Sequence, residues 1–439
     1  MRRFTFILVT FLAASPVLAD TTAFVNVNLI PMTSAEVIPA QTVVVEGGII
    51  AAIGNVDSVP VPEHAVLVDG TDRYLMPGFT EMHGHVTGTG RTQINRLFSL
   101  YLANGVTTVR GMLGRASHLQ LRQDIADGTV PGPRLITSGP SFNGNSVTSA
   151  SQGANLVREQ HAAGYDFLKI HPGLTRSEFI AVADTANELG IPFAGHVPVA
   201  VGLDVALDKG MATIDHLDGY MASLLPANTD TSGGYGGFFD VMLADQAIED
   251  RIDVVVAATI KAGVGNVPTE SLFEQLVNDV PASDLASQAE MRYMPAATVN
   301  RWKAAKNETQ TDRGFDPLVA AQAIEIRRQL IFALHEAGGV LLLGSDAPQI
   351  FNVPGFSLHH ELEFMVASGL TPFEALQTGT IAPARFFGID AGTVETGKVA
   401  DLVLLDANPL EDIGNSGRVH GVVAAGRWST SAELLNGLD

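Results

Sequence analysis

The chain has 439 residues, 46% of them hydrophobic, with 26 basic side chains against 47 acidic ones and a formal net charge of -21. The apolar fraction excludes a disordered chain, and the acidity without a long basic run argues against a nucleic-acid partner. The absence of cysteine excludes disulfides and thiolate ligands, so nitrogen and oxygen must hold any metal.

The chain begins with Arg2-Arg3, an apolar run over 4–14, and small residues before Asp20. This pattern predicts a Sec-type signal peptide over 1–19, cleaved after Ala19, with a retained anchor as the alternative. A periplasmic or secreted protein without a stable membrane anchor is the expectation, and a homo-oligomer is the expected assembly. Residues 23–30 alternate as a strand, and 42–46, Gly47-Gly48 and 49–54 read as a hairpin with a two-glycine turn. Residues 66–68 add a strand, and 401–406 and 419–426 add two more at the far end. Neither end buries enough alone, so residues 20–75 and 389–439 are read as one small β-sandwich domain.

Over 76–388 the pattern changes to strand, helix, strand, helix. Strand cores fall at 78–85, 106–111, 134–138, 167–171, 193–196, 213–216, 264–268 and 340–345. Amphipathic stretches lie at 97–104, 119–127, 154–163, 176–189, 202–209 and 320–337. Eight strands with intervening helices predict an α/β fold of the (β/α)8 TIM-barrel type. Residues 228–239, rich in Gly, Ser and Thr, read as a lid or a plain surface loop. Residues 269–320 read as a helical insertion over the barrel mouth, carrying Tyr293 and Trp302.

Barrel active sites lie at the C-terminal ends of the strands. The first predicted strand ends in His83-Gly84-His85, whose i, i+2 spacing puts two imidazoles on one face. Lys169 sits in the fourth, amid Phe167, Leu168 and Ile170, where a buried amine is costly unless modified or paired. His196 and His216 end the fifth and sixth, and Asp346 ends the eighth, with a helix cap as its bland alternative. Lys169, His196 and His216 stand about one βα unit apart, and the longer run to Asp346 contains the insertion. His171 shares a strand face with Lys169 and is a candidate for supporting a ligand or contacting substrate. His118, His161, His335 and His420 carry no assignment.

This residue set resembles the two-metal, carboxylated-lysine form of the amidohydrolase superfamily. Further phrases resemble its imidazolonepropionase-like and prolidase-like branch: Gly105-Val106-Thr107-Thr108-Val109-Arg110, Pro131-Gly132-Pro133-Arg134, the run 369–376 and the run 397–403. The resemblance implies that His83, His85 and Asp346 hold one divalent ion and that His196 and His216 hold the other. It implies that Lys169, N6-carboxylated, bridges them. Zinc is the default ion for such nitrogen and oxygen donors. The implied reaction is hydrolysis of an amide in a small N-acyl amino acid, dipeptide or related compound, with Asp346 as general base and then acid.

A substrate carboxylate would need a donor, and Arg110, Tyr220, His359 and His360 are candidates beside His171, each with a structural alternative. The loop Ser141-Phe142-Asn143-Gly144-Asn145 lacks the histidine common there in the branch. Two other functions stay open at this level: a cyclic-amide hydrolase of imidazolonepropionase type, and a non-catalytic binding or scaffold protein on the same barrel.

Overall fold

The computed structural model describes residues 21–229 and 238–438. The predicted signal peptide and most of the 228–239 loop lie outside the described residues. No described helix is long and apolar enough to cross a membrane.

The two chain ends meet in one sheet. The first five strands are β1 (Thr21–Leu29), β2 (Ile38–Glu46), β3 (Ile49–Asn55), β4 (Val66–Asp69) and β5 (Tyr74–Pro77). Seven further strands follow: β6 (Phe79–Gly84), β7 (Val106–Gly111), β8 (Arg134–Thr137), β9 (Leu168–Ile170), β10 (Phe193–Gly195), β11 (Thr213–Asp215) and β12 (Gly265–Val267). The last three are β13 (Leu402–Leu405), β14 (Val419–Ala424) and β15 (Arg427–Thr430). Strand order in the terminal sheet is β15-β14-β13-β5-β1-β2-β3, with β4 beside β1. Gly47 and Gly48 turn the β2–β3 hairpin at φ 59 and 78°, the two positive values a tight hairpin of matching twist demands.

Hydrogen bonding is continuous through this sheet, so the expected sandwich is a single eight-stranded sheet that curls on itself. β3 bonds the segment leading into β13, through Ile50 N to Lys398 O at 2.9 Å and Ala400 N to Gly48 O at 2.8 Å. Inward-facing Phe24, Val27, Val43, Val45, Leu75, Leu402 and Leu404 form its own core, which Trp428 closes edge-on to Phe24 at 5.1 Å.

The middle of the chain forms two parallel sheets, β6-β7-β8 and β12-β11-β10-β9. Single parallel bridges, Ser138 with Phe167 and Phe142 with Ile170, link β8 to β9. On the other side, Leu341 bridges Asn266, and Met82 N donates to Leu343 O at 2.8 Å. Residues 340–345, expected as a regular strand, are not one. Leu342 N bonds Asn266 O, while Leu343 N turns to Thr378 O, both at 2.9 Å. The ladder therefore never repeats. Gly344 explains the tight passage: a Cβ there would lie 2.6 Å from Val267 Cγ1 and 2.8 Å from His83 N.

Helices pack around these sheets, giving a mixed α/β fold. They include Arg91–Ala103, Ala116–Ala126, Ala150–Ala163, Arg176–Leu189, Leu203–Asp208 and Pro317–Glu336. Their boundaries follow from local chemistry. Thr175 and Glu178 form a capping box at one start, and Asp316 caps another with Pro317 in the first turn. The insertion is helical, with Glu270–Val277, Ala282–Leu285 and Ala296–Thr311. Its Trp302 and Tyr293 pack on Phe351 and Phe356, at ring distances of 6.1 and 5.4 Å.

Candidate active site

The parallel strands deliver six polar side chains to one place. His83 lies at the end of β6 and His85 just beyond it; Lys169 is the middle residue of β9; His196 and His216 follow β10 and β11. Asp346 follows the irregular 340–345 stretch. His85 Nε2 lies 2.5 Å from Asp346 Oδ1, and His83 Nε2 lies 3.6 Å from the same oxygen. One nitrogen or oxygen from each of His83, His85 and Asp346 falls within 4.8 Å of the others. Lys169 Nζ is 3.4 Å from His83 Nε2. The His216 ring stands 4.5 Å from both the His83 and His196 rings.

Burial sets the protonation chemistry of this cluster. His83 and His216 are 1% exposed. Burial first, and then positive neighbours such as Lys169, hold both far below the usual histidine range. Their imidazoles are neutral, as a ligand requires. His171, whose ring is 5.1 Å from that of His196, is pushed down to about 3 by the same causes. Burial brings the Lys169 amine down to about 8, against the pull of Asp215 and Asp346. Gly195 at φ 121° keeps space beside it: a Cβ there would lie 3.0 Å from Nζ.

Several residues absent from the sequence reading support the clustered histidines. Asp215, fully buried, lies 2.9 Å from His83 Nδ1, out of line for a hydrogen bond. Glu81 accepts from His83 N and Ser345 N, each at 2.9 Å, and from Ser345 Oγ at 2.6 Å. It thereby ties β6 to the Asp346 segment, and burial pushes its carboxyl up. Asp218 Oδ2 lies 2.6 Å from His196 Nδ1. Thr269 Oγ1 lies 2.8 Å from His216 Nδ1. Period-two alternation would have pointed to Glu81, which sits two positions from His83 on the same strand. His216, Thr269 and Asp346 all hold positive φ, at 65, 56 and 60°, a region unfavourable to side chains and frequent at functional sites.

Four residues offered as substrate contacts have protein partners instead. Arg110 is buried, and its guanidinium donates to Met82 O at 2.6 Å, Thr213 Oγ1 at 3.0 Å and Asp215 at 3.2 Å. It braces the strands instead of facing a ligand. Tyr220 is 0% exposed, with its hydroxyl 2.9 Å from Thr259 Oγ1. His359 joins Ser416 Oγ at 3.0 Å to Asn104 O at 3.1 Å, and His360 sits 3.5 Å from Glu290 Oε1. Helical direction, invisible in residue order alone, turns Tyr220, His359 and His360 toward packing partners. His171 does stand beside the cluster. A cavity of about 590 Å³ opens next to His196 and Asp218, walled by Val197, Val199, Leu203 and Phe239, with Arg176 in its lining. Phe239 stacks on His216 at 5.2 Å.

The sequence profile of the amidohydrolase family matches residues 74–429, which hold all six clustered side chains. The chain belongs to the amidohydrolase family. It is accordingly a hydrolase acting on carbon–nitrogen bonds, which sets aside the non-catalytic reading, and the family generally uses divalent metal ions. Enamidase of Eubacterium barkeri is 23% identical over 394 residues, covering 89% of this amidohydrolase and 86% of the relative. Imidazolonepropionase of Rhodococcus jostii is 25% identical over 381 residues, covering 83% and 82%. The structure of a Xaa-Pro dipeptidase with bound methionine superposes with a TM-score of 0.66 at 20% identity, covering 94% of this chain and 100% of that one.

Proposed function

We propose that this amidohydrolase is an exported two-metal enzyme that cleaves the amide of a small N-acyl amino acid or dipeptide. The observation that carries the reading is the convergence of His83, His85, Lys169, His196, His216 and Asp346 on one buried spot. In this reading the two parallel sheets form one (β/α)8 barrel, closed through residues 340–347.

The donor set fits a pair of divalent ions. It contains only nitrogen and oxygen, its buried histidines are neutral, and Gly195 leaves room at the Lys169 amine for a carboxyl group. A lysine lowered to about 8 has more free amine at neutral pH, the form that combines with CO2. His83, His85 and Asp346 would hold one ion, His196 and His216 the other, and carboxylated Lys169 would bridge them, with zinc as the default metal. When bound, such a pair supplies Lewis acidity and an activated water near neutral pH.

The chain's own groups then manage protons and orientation. Asp346 takes the proton from the attacking water as its oxygen bonds to the amide carbon. Asp346 returns that proton to the leaving nitrogen as the C–N bond breaks, giving a carboxylic acid and an amine. The apolar cavity wall suits a small side chain. Arg176, in the same lining, is the cation offered to a substrate carboxylate, the task Arg110 cannot perform. The 25% identity to an imidazolonepropionase keeps a cyclic-amide substrate as the second reading.

A screen of dipeptides, N-acyl amino acids and lactams tests this. Chelator-sensitive release of amine from the open-chain amides is expected. Turnover of lactams alone would transfer the assignment to the second reading, and no turnover of any class would overturn both.

A further inference from the structure

We propose that Thr269 is a positioning residue that fixes His216 as the tautomer with hydrogen on Nδ1, and that Arg327 holds the backbone that sets Thr269. The inference rests on the metal-ligand role proposed for His216 and deepens it.

The argument is a count of hydrogens. Thr269 Oγ1 lies 2.7 Å from Pro268 O and 2.8 Å from His216 Nδ1. A hydroxyl has one hydrogen to give, and a carbonyl oxygen can only accept. The hydroxyl hydrogen therefore goes to Pro268 O, and His216 Nδ1 must be the donor of the second bond. The alternative partner of Nδ1, Asp346 Oδ2, stands at 3.9 Å, too far for a hydrogen bond. A neutral imidazole has a single ring hydrogen, so Nε2 is left with its lone pair. A partner on the far nitrogen is how proteins select the ligand nitrogen of a histidine.

The hydroxyl is held in place by a buried frame. Thr269 is β-branched yet sits at φ 56°, a conformation that persists only when surroundings enforce it. Arg327, 3% exposed, supplies that enforcement. Nη1 donates to His216 O at 2.9 Å and Nη2 to Pro268 O at 3.1 Å, joining the end of β11 to the end of β12. Nε donates to Glu270 Oε1 at 2.9 Å. Pro268 O has two lone pairs and accepts from both Arg327 and Thr269. On the other side, Glu361 accepts from Glu270 N at 3.0 Å and Ser271 N at 2.7 Å, pinning the two residues after Thr269.

The test uses the full chain in two states. In metal-free protein, nitrogen-15 correlation spectra of the histidine rings, assigned with His216→Gln, should report hydrogen on Nδ1 of His216. Thr269→Val, and Thr269→Ala should the valine variant fail to fold, should mix the tautomers or shift the hydrogen to Nε2. Thr269→Ser should retain the wild-type signal. In zinc titrations against a competing chelator, Thr269→Val should weaken one of two sites by ~10–100-fold and leave the other unchanged. Arg327→Lys should weaken the same site. Wild-type tautomer and wild-type affinity in Thr269→Val would overturn the inference. If wild-type protein took up no zinc, the metal reading would fail, and the tautomer spectra alone would decide the role of Thr269.

Discussion

The two halves of the site are built differently. His83, His85 and Asp346 face one another directly, with 2.5 Å between His85 Nε2 and Asp346 Oδ1. His196 and His216 instead lie ring against ring at 4.5 Å, each oriented from behind by a separate partner, Asp218 or Thr269. The first group makes direct contacts among its own side chains, with Glu81 tying their two segments together, and the second has a hydrogen-bond partner behind each ring. The contrast teaches where each half is vulnerable: the first to loss of one of its own side chains, the second to loss of the hydrogen bond behind a ring.

The largest predicted effect comes from the residue between the halves. Lys169→Met should reduce bound metal to one ion or none and abolish hydrolysis, read by metal analysis and amine release. The same variant carries a pH signature in metal-free protein. Burial lowers the Lys169 amine from 10.5 to about 8 in the fold. Between those values the unfolded chain binds the extra proton, so stability rises with pH across that window. Denaturation midpoints should climb from pH 8 to 10.5 in wild type, with that part of the slope missing in Lys169→Met.

Next in size is Asp346→Asn, which attacks the first half. Rates of hydrolysis should fall by ~10²–10⁴-fold, the usual contribution of a general acid–base group. An unchanged rate would remove Asp346 from the mechanism. Asp218→Asn attacks the second half through its support, and should lower metal affinity by ~10–100-fold at one site only. Equal weakening of both sites would erase the distinction between the halves. The smallest effect belongs to Arg176→Met, outside both. It should raise KM by roughly tenfold for substrates bearing a free carboxylate, about one charge-assisted hydrogen bond, and leave amidated analogues unaffected.

Much of this was legible in residue order because strands impose it. A period of two aligns His83 with His85, and strand ends at barrel spacing bring Lys169, His196, His216 and Asp346 together. Local caps are readable in the same way: Thr371-Pro372-Phe373-Glu374 has the residue types of a capping box, and Thr371 Oγ1 donates to Glu374 at 2.7 Å. What failed depended on tertiary direction. Arg110 stands on a strand leading to the site, but its long side chain turns inward to the buried Asp215 carboxylate, whose uncompensated charge would be costly. Tyr220 follows His216 by four residues, yet the helix Tyr220–Leu224 turns it onto Thr259. The 340–345 run reads as a strand by composition, and the close passage of Gly344 between β6 and β12 breaks its ladder. Thr269 carries no sequence signal, because its role comes from a backbone conformation enforced by Arg327, distant in the chain.

The central claim is a two-ion centre at the six converging side chains. Metal analysis of the purified full chain, reconstituted with zinc and bicarbonate and freed of loosely bound ion, tests it most directly. The account predicts two ions per chain, with the count falling in His83→Ala and in His216→Ala. One ion or none in the wild-type protein would contradict it.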